Sequence, residues 1–594
     1  MFSRIRINAQ QIISRKFCAF GFFLYLCGRF SPKENRPVII RCTNTKMILR
    51  GLLFLLFSLG ALPASTQLLF NGTPVAFDKT TDTWLVTVAP EVFGTSKTAE
   101  VSMAEGCQWE QLMIDGQTAD HPIVFGDVSA TSSYDVTYTL NGQEYCEKLM
   151  FTYLPVVRLT GQFGYEYAPA AVEVSTPDGD YQLMAAEIRW RGGSTNDIDK
   201  HKRNYKVKLK DADGDDMNRS FFSLRNDNVW ILDAGQVDMF RMRNIIAAEL
   251  WNDFARKPYY SQDVYTATRG KVVELFLNNE YQGIYNMCEP IDRKQVAVKK
   301  YDEETGAIHG GLWKSTGWGI STFWEMPPPY DNTQAVWDVF ELKYPKIDDL
   351  CPSDWSTLYD AIHFVVTSSD KDFCDHIAEV IDLPVFIDYH IFANVLNAID
   401  ICGKNLYWAV YDKEESRKIT PVMWDLDCTV GQNYVDSLPR PDYVHYTYPP
   451  SPLIYIDWRL QLLDPDGFLQ TVADRYRQLR TEGALQTDSL KDRYRRYYQL
   501  VHGCGADLRE EHRWSGDTDI TGLDLNFAEE IAYIEDWLEH RLPLLDVYFA
   551  NPTTVKDVTG ERNVAEPEYY NLAGQKVSAQ YQGIIIARGR KSLR

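Results

Sequence analysis

Carboxylate and amide side chains follow one another closely in the second half of the chain. Asp400 and Asn405 are separated by four residues, and the apolar run 421–424 leads into Asp425 and Asp427. These side chains supply the oxygen ligands that Mg²⁺ prefers. In phosphoryl transfer, an aspartate orients the acceptor hydroxyl and an asparagine holds metal, and D-x₄-N is a spacing that serves both tasks. The pattern therefore predicts a site for phosphoryl transfer.

Basic side chains suited to phosphate lie earlier in the chain. In one predicted strand the side chains of Tyr205, Val207 and Leu209 share a face. Lys206 and Lys208 fall on the other face, so the apolar face can pack into a core while a lysine meets phosphate in a cleft. Strands with lysine at every second position are also typical of solvated sheet edges. This strand therefore indicates a phosphate site only when it is considered together with the acidic motifs.

Two turns could complete a nucleotide site. The Arg-Gly-Gly-Ser-Thr run at 191–195 can offer backbone N–H groups to an anion, together with Arg191 and the hydroxyl of Ser194. A strand that ends at Glu289, before a proline, suits a hinge whose backbone binds an adenine. Taken singly, each is only a turn or a strand end, and Asp-x-Asp pairs also cap turns.

The elements before these motifs are predicted to be strands. Residues 65–154 alternate apolar and polar positions between turn signals, which predicts a small all-β, immunoglobulin-like sandwich that serves as an accessory domain. Residues 155–320 continue as strands and hairpins. The clearest hairpin pairs 272–277 with 281–287 across an Asn-Asn turn.

The elements after them are predicted to be mostly helical. Helical spacing of apolar residues begins near 383, and amphipathic helices are predicted over 468–480 and 527–546. A sheet-rich first lobe followed by a helix-rich second lobe is an α+β, two-lobed plan, which we assign to residues 155–550.

The two ends of the chain differ in composition from its middle. A short basic start at Met47, an apolar run and a small-residue exit at Ala64 are typical of a secretory signal peptide. We interpret residues 1–64 as an upstream extension plus this signal, with Met47 as the true start. The prediction is a secreted or cell-surface, extracytoplasmic protein, and no transmembrane helix is expected in the mature chain.

The last segment, 551–594, is predicted to be a polar linker and a short β tail. The tail resembles the C-terminal β tails of proteins that use an outer-membrane sorting route. A simple terminal hairpin explains the same residues equally well.

The chain is acidic, with 61 Lys and Arg against 82 Asp and Glu and a formal net charge of −21. Without residues 1–64, the counts become 51 and 81. Such an excess repels nucleic acid and anionic membranes, so neither is an expected partner. It fits basic protein substrates or divalent cations, and it also suits solubility alone. The cysteines form no Cys-x-x-Cys pair, which argues against a zinc site.

Taken together, these motifs resemble the CotH family of atypical protein kinases. The resemblance lies in the Arg-Gly-x-Ser-Thr turn, the lysine strand, the hairpin at 273–285 and the Met-Trp-Asp-Leu-Asp run at 423–427. It extends to Asp388-Tyr389 and Arg475-Tyr476. The chain departs from the family pattern at Gly193, where an asparagine is usual, and in a Trp-rich insertion that contains three consecutive prolines.

The resemblance implies a divergent two-lobed kinase-like fold, ATP with Mg²⁺ or Mn²⁺ as cofactors, and transfer to Ser or Thr of secreted or surface proteins. Carried over by position, Asp400 would be the catalytic acid, and the metal ligands would be Asn405, Asp425 and Asp427. Lys208 or Lys206 would contact phosphate, and Glu249 would be the carboxylate partner of that lysine.

Two other functions stay open at this point. A non-catalytic surface adhesin or polysaccharide-binding protein could keep the kinase-like scaffold, since fold does not fix function. A glycosidase would need Asp425 and Asp427 on either side of a substrate, about 5–10 Å apart. Two positions so close in one strand argue against that third hypothesis.

Overall fold

The computed structural model describes most of the chain after residue 67. The described residues are 68–193, 196, 201–346, 353–432, 454–517, 523–550 and four short strands of the tail. The predicted leader at 1–64 and Ser194 lie outside them. Helices and strands are both abundant, so the predicted α+β class is confirmed.

A β-rich region comes first, as the sequence predicts. Its three small sheets enclose an apolar core that includes Trp84, Phe125 and Phe151. The turn at Asn141 and Gly142 has positive φ at both positions and joins two long strands. The strands are β1 (Leu68–Phe70), β2 (Thr73–Pro74), β3 (Ala76–Asp78), β4 (Thr83–Thr87), β5 (Lys97–Ala99), β6 (Val101–Met103), β7 (Glu110–Ile114), β8 (Gln117–Thr118), β9 (Ile123–Phe125), β10 (Tyr134–Leu140) and β11 (Gln143–Thr152).

A closed seven-stranded barrel follows. Tyr205, Val207 and Leu209 point into its core, which confirms the predicted apolar face of the lysine strand. Closure depends on a parallel pairing between the first strand and the hairpin strand β17. In spatial order the barrel strands are β12 (Val156–Gly161), β13 (Ala168–Ser175), β14 (Tyr181–Arg191), β15 (Asn204–Lys210), β16 (Val229–Asp233), β18 (Glu280–Cys288) and β17 (Gly270–Leu277).

The β17–β18 hairpin confirms the clearest prediction from the sequence. Asn278 and Asn279 both have positive φ, the conformation that a two-residue type I′ turn requires. Further along β18, Gly283 has a φ of +90°, and a Cβ at this position would overlap the carboxylate of Glu510. Glycine therefore lets a helix from the end of the chain approach the barrel.

A second, five-stranded sheet packs against the outer face of the barrel. Ile231 and Cys288 from the barrel meet Leu312, Val422 and Trp424 from this sheet in one apolar layer. The candidate site lies at the edge of that layer. In spatial order the strands are β20 (Val336–Trp337), β21 (Phe340–Tyr344), β19 (Gly311–Ser315), β22 (Leu406–Val410) and β23 (Thr420–Met423).

Most helices lie in the second half of the chain, and they share the largest apolar core. The helices predicted over 468–480 and 527–546 are confirmed, as Phe468–Glu482 and Phe527–Ala550. Among the described residues, no helix is both long and apolar enough to cross a membrane. The helices are α1 (Arg243–Phe254), α2 (Ser356–Thr367), α3 (Asp370–Val380), α4 (Leu383–Leu396), α5 (Tyr455–Leu463), α6 (Phe468–Glu482), α7 (Thr487–His502), α8 (Ala506–Arg513) and α9 (Phe527–Ala550).

The tail contains short strands, as the sequence predicts. Four of them form one antiparallel sheet in the order β25, β24, β26 and β27. They are β24 (Tyr569–Asn571), β25 (Lys576–Val577), β26 (Ile584–Ala587) and β27 (Arg590–Leu593).

Candidate active site

Asp400 and Asn405 form a hydrogen-bonded pair in the loop between α4 and β22. Helix α4 ends where Asn397 adopts a left-handed conformation, and Asp400 follows in a single 3₁₀ turn. The Nδ2 of Asn405 donates to Oδ2 of Asp400 over 2.7 Å. The backbone N–H of Asn405 donates to the carbonyl of Ser315 over 3.1 Å, which ties this loop to β19. The D-x₄-N spacing therefore brings the two side chains together.

Asp425 follows the end of β23 and has a φ of +62°. The next backbone N–H, that of Leu426, donates to Oδ1 of Asn244 over 2.9 Å. The same asparagine donates from Nδ2 to Oδ2 of Asp233 over 2.8 Å. Asn244, at the start of α1, thus joins the metal-binding candidate Asp425 to the end of barrel strand β16.

Three aspartates form what we call the acidic cluster: Asp233, Asp400 and Asp425. Burial raises the pKa of Asp400, and the charge of Asp425 raises it further, against the opposing effects of Lys404 and the Asn405 bond. Burial also raises the pKa of Asp233, where Asn244 lowers it and Asp425 again raises it. Like charges held this close disfavour ionisation, and a cation would relieve the repulsion.

Three cations form what we call the basic rim: Arg191, Lys206 and Lys314. Arg191 interacts with Asp233 and Lys314 with Asp425, while Lys206 neighbours Arg191. The guanidinium of Arg191 lies 5.1 Å from the ring centre of Trp424, one residue before Asp425. Lys206 pairs directly across from Ile231, so it shares the barrel face that packs on the second sheet. Lys314 projects from β19, with its ammonium 5.8 Å from the ring centre of Tyr407.

Both lysines of the basic rim have depressed pKa values. Burial lowers the pKa of Lys206 to about 8, and the positive charge of Arg191 lowers it further. Burial lowers the pKa of Lys314 to about 8 as well, with Asp425 opposing and Arg191 adding to the effect. A bound phosphate would favour the charged form of both lysines.

We therefore expect a phosphate-bearing ligand of this site, such as Mg²⁺–ATP, to bind more weakly as the pH rises through the pKa values of these lysines. Consider a lysine whose pKa is about 8 in the free protein and which stays charged in the complex. Raising the pH from about 7 to about 9 then lowers the affinity by about tenfold for each such lysine. Calorimetric titration across this range measures the effect. In Lys206→Arg the side chain stays charged across this range, so the affinity should depend less steeply on pH. An unchanged pH dependence would contradict the assignment of Lys206.

The same pKa values predict the opposite trend for stability. Between pH 8 and 10.5 an unfolded lysine still binds its proton, whereas folded Lys206 and Lys314 release theirs. The contribution of these two lysines to the free energy of unfolding therefore increases with pH over this window.

Lys208 lies on the same strand face as Lys206 but has a different neighbour. Its ammonium stands 4.2 Å from the ring centre of Tyr167, and the guanidinium of Arg189 flanks the same ring at 5.0 Å. Of the two candidate lysines, Lys206 is the one beside Arg191.

Asp427, the third predicted metal ligand, is half-buried and lies two residues beyond Asp425.

Glu249 and Glu289 are engaged away from the acidic cluster. Glu249, on α1, forms ion pairs with Arg493 and Arg496 of α7 rather than facing the β15 lysines. Glu289 is buried; its backbone N–H donates to the carbonyl of Arg269 and its carbonyl accepts from the hydroxyl of Thr268, both just before β17. We therefore assign neither the lysine-partner role to Glu249 nor the adenine-hinge role to Glu289.

The structure adds three residues that the sequence motifs did not reveal: Asp233, Asn244 and Lys314. Asp233 is the last residue of β16, and Asp425 follows closely after the end of β23. This shared position at a strand end could have identified Asp233 from the sequence. Asn244 directly follows a buried arginine at the start of α1. Lys314 is the half-buried residue between Trp313 and Ser315, in a strand whose other residues are buried.

The acidic cluster fits a magnesium ion that arrives with a nucleotide. Within the described ranges, no group of three or more His, Cys, Asp or Glu residues has the geometry of a metal site. Mg²⁺ is commonly held by one or two carboxylates together with substrate phosphates and water, rather than by a protein cage. The oxygen donors of Asn405 and Asp425, with the raised pKa of neighbouring Asp400, match that pattern.

Comparison with known proteins places these residues in a family. A search of curated proteins found no match. The family model described as CotH kinase protein matches residues 188–545, which is more than half of the chain. The matched span contains the basic rim, the acidic cluster and helices α1–α8. The chain therefore belongs to the CotH kinase family.

Proposed function

We propose that this protein transfers the γ-phosphoryl group of ATP to a Ser or Thr hydroxyl of an extracytoplasmic protein. The observation that carries the proposal is the hydrogen-bonded pair of Asp400 and Asn405 beside Asp425, opposite the basic rim. Family membership supports a kinase-like activity. The extracytoplasmic location depends on the predicted signal peptide within residues 1–64.

The two sides of the site divide the work of phosphoryl transfer. Asn405 and Asp425 would hold Mg²⁺ or Mn²⁺, and the metal would supply positive charge that neutralises the phosphates. Arg191, Lys206 and Lys314 would supply the positive charge that stabilises the phosphate oxygens as charge develops. This electrostatic positioning is the main catalytic contribution that phosphoryl transfer requires.

Asp400 would orient the acceptor hydroxyl and accept its proton. The amide of Asn405 holds one carboxylate oxygen of Asp400, which fixes the orientation of the other oxygen. Because burial and the charge of Asp425 raise the pKa of Asp400, its carboxylate is a stronger base than an exposed aspartate. This basicity suits a role in proton transfer.

The proposal is tested by incubating the purified protein with γ-labelled ATP and Mg²⁺ or Mn²⁺. Label is expected in a protein acceptor, either the chain itself or an added basic protein, and it should appear as phosphoserine or phosphothreonine. Asp425→Asn is the matched control because it keeps the side-chain size and removes the charge. A metal-replete preparation that neither binds nor consumes ATP would overturn the proposal.

A further inference from the structure

Exposed aromatic side chains lie beside the Asp400 loop. Trp318 is 47% exposed and Trp324 is 41% exposed, which makes them the most exposed tryptophans in the described part of the chain. Met326, two residues later, is 53% exposed. Exposed apolar patches of this kind are uncommon on monomeric proteins and mark interaction surfaces. We call the surface formed by Trp318, Trp324, Tyr455 and Trp458 the aromatic platform.

The platform begins at the loop that contains Asp400. The ring of Trp318 rests against Gly403, between Asp400 and Asn405, and a Cβ on Gly403 would lie 2.6 Å from Cε3 of Trp318. Only a glycine allows this approach. The exposed ring therefore adjoins the residues that would orient the acceptor hydroxyl.

The far end of the platform is supported by α5. The ring of Trp324 lies 4.4 Å from that of Tyr455 and 5.6 Å from that of Trp458, measured between centres. Tyr455 and Trp458 stack on each other at 5.3 Å. Phe323, which precedes Trp324, is fully buried and packs on Trp408. The exposed ring is thus held in place by buried and stacked neighbours.

We infer that the aromatic platform binds the acceptor polypeptide through an apolar or aromatic side chain near the phosphorylated Ser or Thr. This inference rests on the proposed kinase function, because Asp400 would hold the acceptor hydroxyl and the platform extends from its loop. Trp, Tyr and Met are enriched at protein–protein interfaces, and the contact of Trp318 with Gly403, beside Asp400, favours the acceptor polypeptide over a polysaccharide.

The dimensions of the platform fit a short extended peptide. Trp324 lies six positions after Trp318, with a 3₁₀ turn at Ile320–Thr322 between them, so their Cα atoms lie less than about 20 Å apart. An extended peptide covers that distance in fewer than about six residues. Glu325, also exposed, adds negative charge to the surface, so basic residues beside the apolar anchor should strengthen binding.

The test uses the full chain, Mg²⁺–ATP and a degenerate peptide library with one fixed serine. Selected peptides should carry an aromatic or large aliphatic residue at a constant distance from the serine. In Trp324→Ala the KM for a selected peptide should rise about tenfold or more, whereas the KM for ATP should not change. Trp324→Phe should restore most of the peptide affinity, and Leu183→Ala, which removes an exposed leucine from β14, should change neither constant.

The outcomes separate this inference from the proposed function. If ATP is consumed but Trp324→Ala leaves the KM for peptide unchanged, the inference fails and the kinase proposal stands. If Trp324→Ala instead abolishes retention on insoluble polysaccharide, the platform binds glycan and the inference is overturned. If the wild-type chain shows no metal-dependent ATP binding, both proposals fail together.

Discussion

Asp400→Asn is expected to lower kcat for phosphoryl transfer by about a thousandfold. An amide cannot accept the proton of the acceptor hydroxyl at neutral pH, although it has nearly the size and shape of the carboxylate. Its remaining oxygen can still accept from Asn405, so the loop geometry should persist. The loss should therefore appear in kcat, measured with labelled ATP at saturating substrate, and not in the affinity for Mg²⁺–ATP.

The comparison of kcat with nucleotide affinity identifies the role of Asp400. A parallel fall in ATP affinity would mean that Asp400 serves as a metal ligand and not as the base. Asp427→Asn is a useful companion, because Asp427 follows the same strand as Asp425. An Asp400→Asn protein with a kcat within about tenfold of wild type would contradict the assigned role.

Glu510→Gln is expected to lower the free energy of unfolding by about 3–5 kcal/mol. Lys202 and Arg241 are buried, and both donate to Oε1 of Glu510, over 2.6 and 2.7 Å. The other carboxylate oxygen accepts from the backbone N–H of Ile284 over 2.7 Å. A neutral amide would leave buried Arg241 without its counterion and would remove the charged partner of Lys202, whose pKa burial lowers to about 7. It would also weaken the attachment of α8 to the barrel.

Urea unfolding, followed by tryptophan fluorescence, measures this loss. The matched control is Glu303→Gln, because Glu303 forms an ion pair with Lys300 in which both side chains are exposed. Exposed pairs contribute little to stability, so this control should unfold at the wild-type urea concentration. A Glu510→Gln protein that also unfolds at that concentration would show that the buried network does not hold the barrel to α8.

The sequence predicts local structure well where short-range chemistry determines it. Asn278-Asn279 specifies the β17–β18 turn because both residues tolerate positive φ. The alternation around Lys206 correctly predicts which face of β15 enters the barrel. The spacing of Asp400 and Asn405 predicts a pair that the structure joins by a hydrogen bond. In each case the decisive residues are neighbours along the chain.

Long-range contacts explain the features that the sequence did not predict. The barrel closes because β12 pairs in parallel with β17, more than a hundred residues later, and no local pattern encodes that pairing. The helix face that presents Glu249 is decided by arginines of α7, far along the chain. Lys206 and Lys208 share one face, so only their neighbours Arg191 and Tyr167 distinguish them.

The most direct test of the proposed nucleotide site is a thermal-shift titration of the full chain with ATP, with and without Mg²⁺ or Mn²⁺. A ligand that binds only the folded state raises the unfolding temperature by mass action. We predict a metal-dependent increase that disappears in Asp425→Asn and persists in Lys208→Met. No increase with either metal, or an undiminished increase in Asp425→Asn, would contradict the assignment of this acidic cluster as the ATP site.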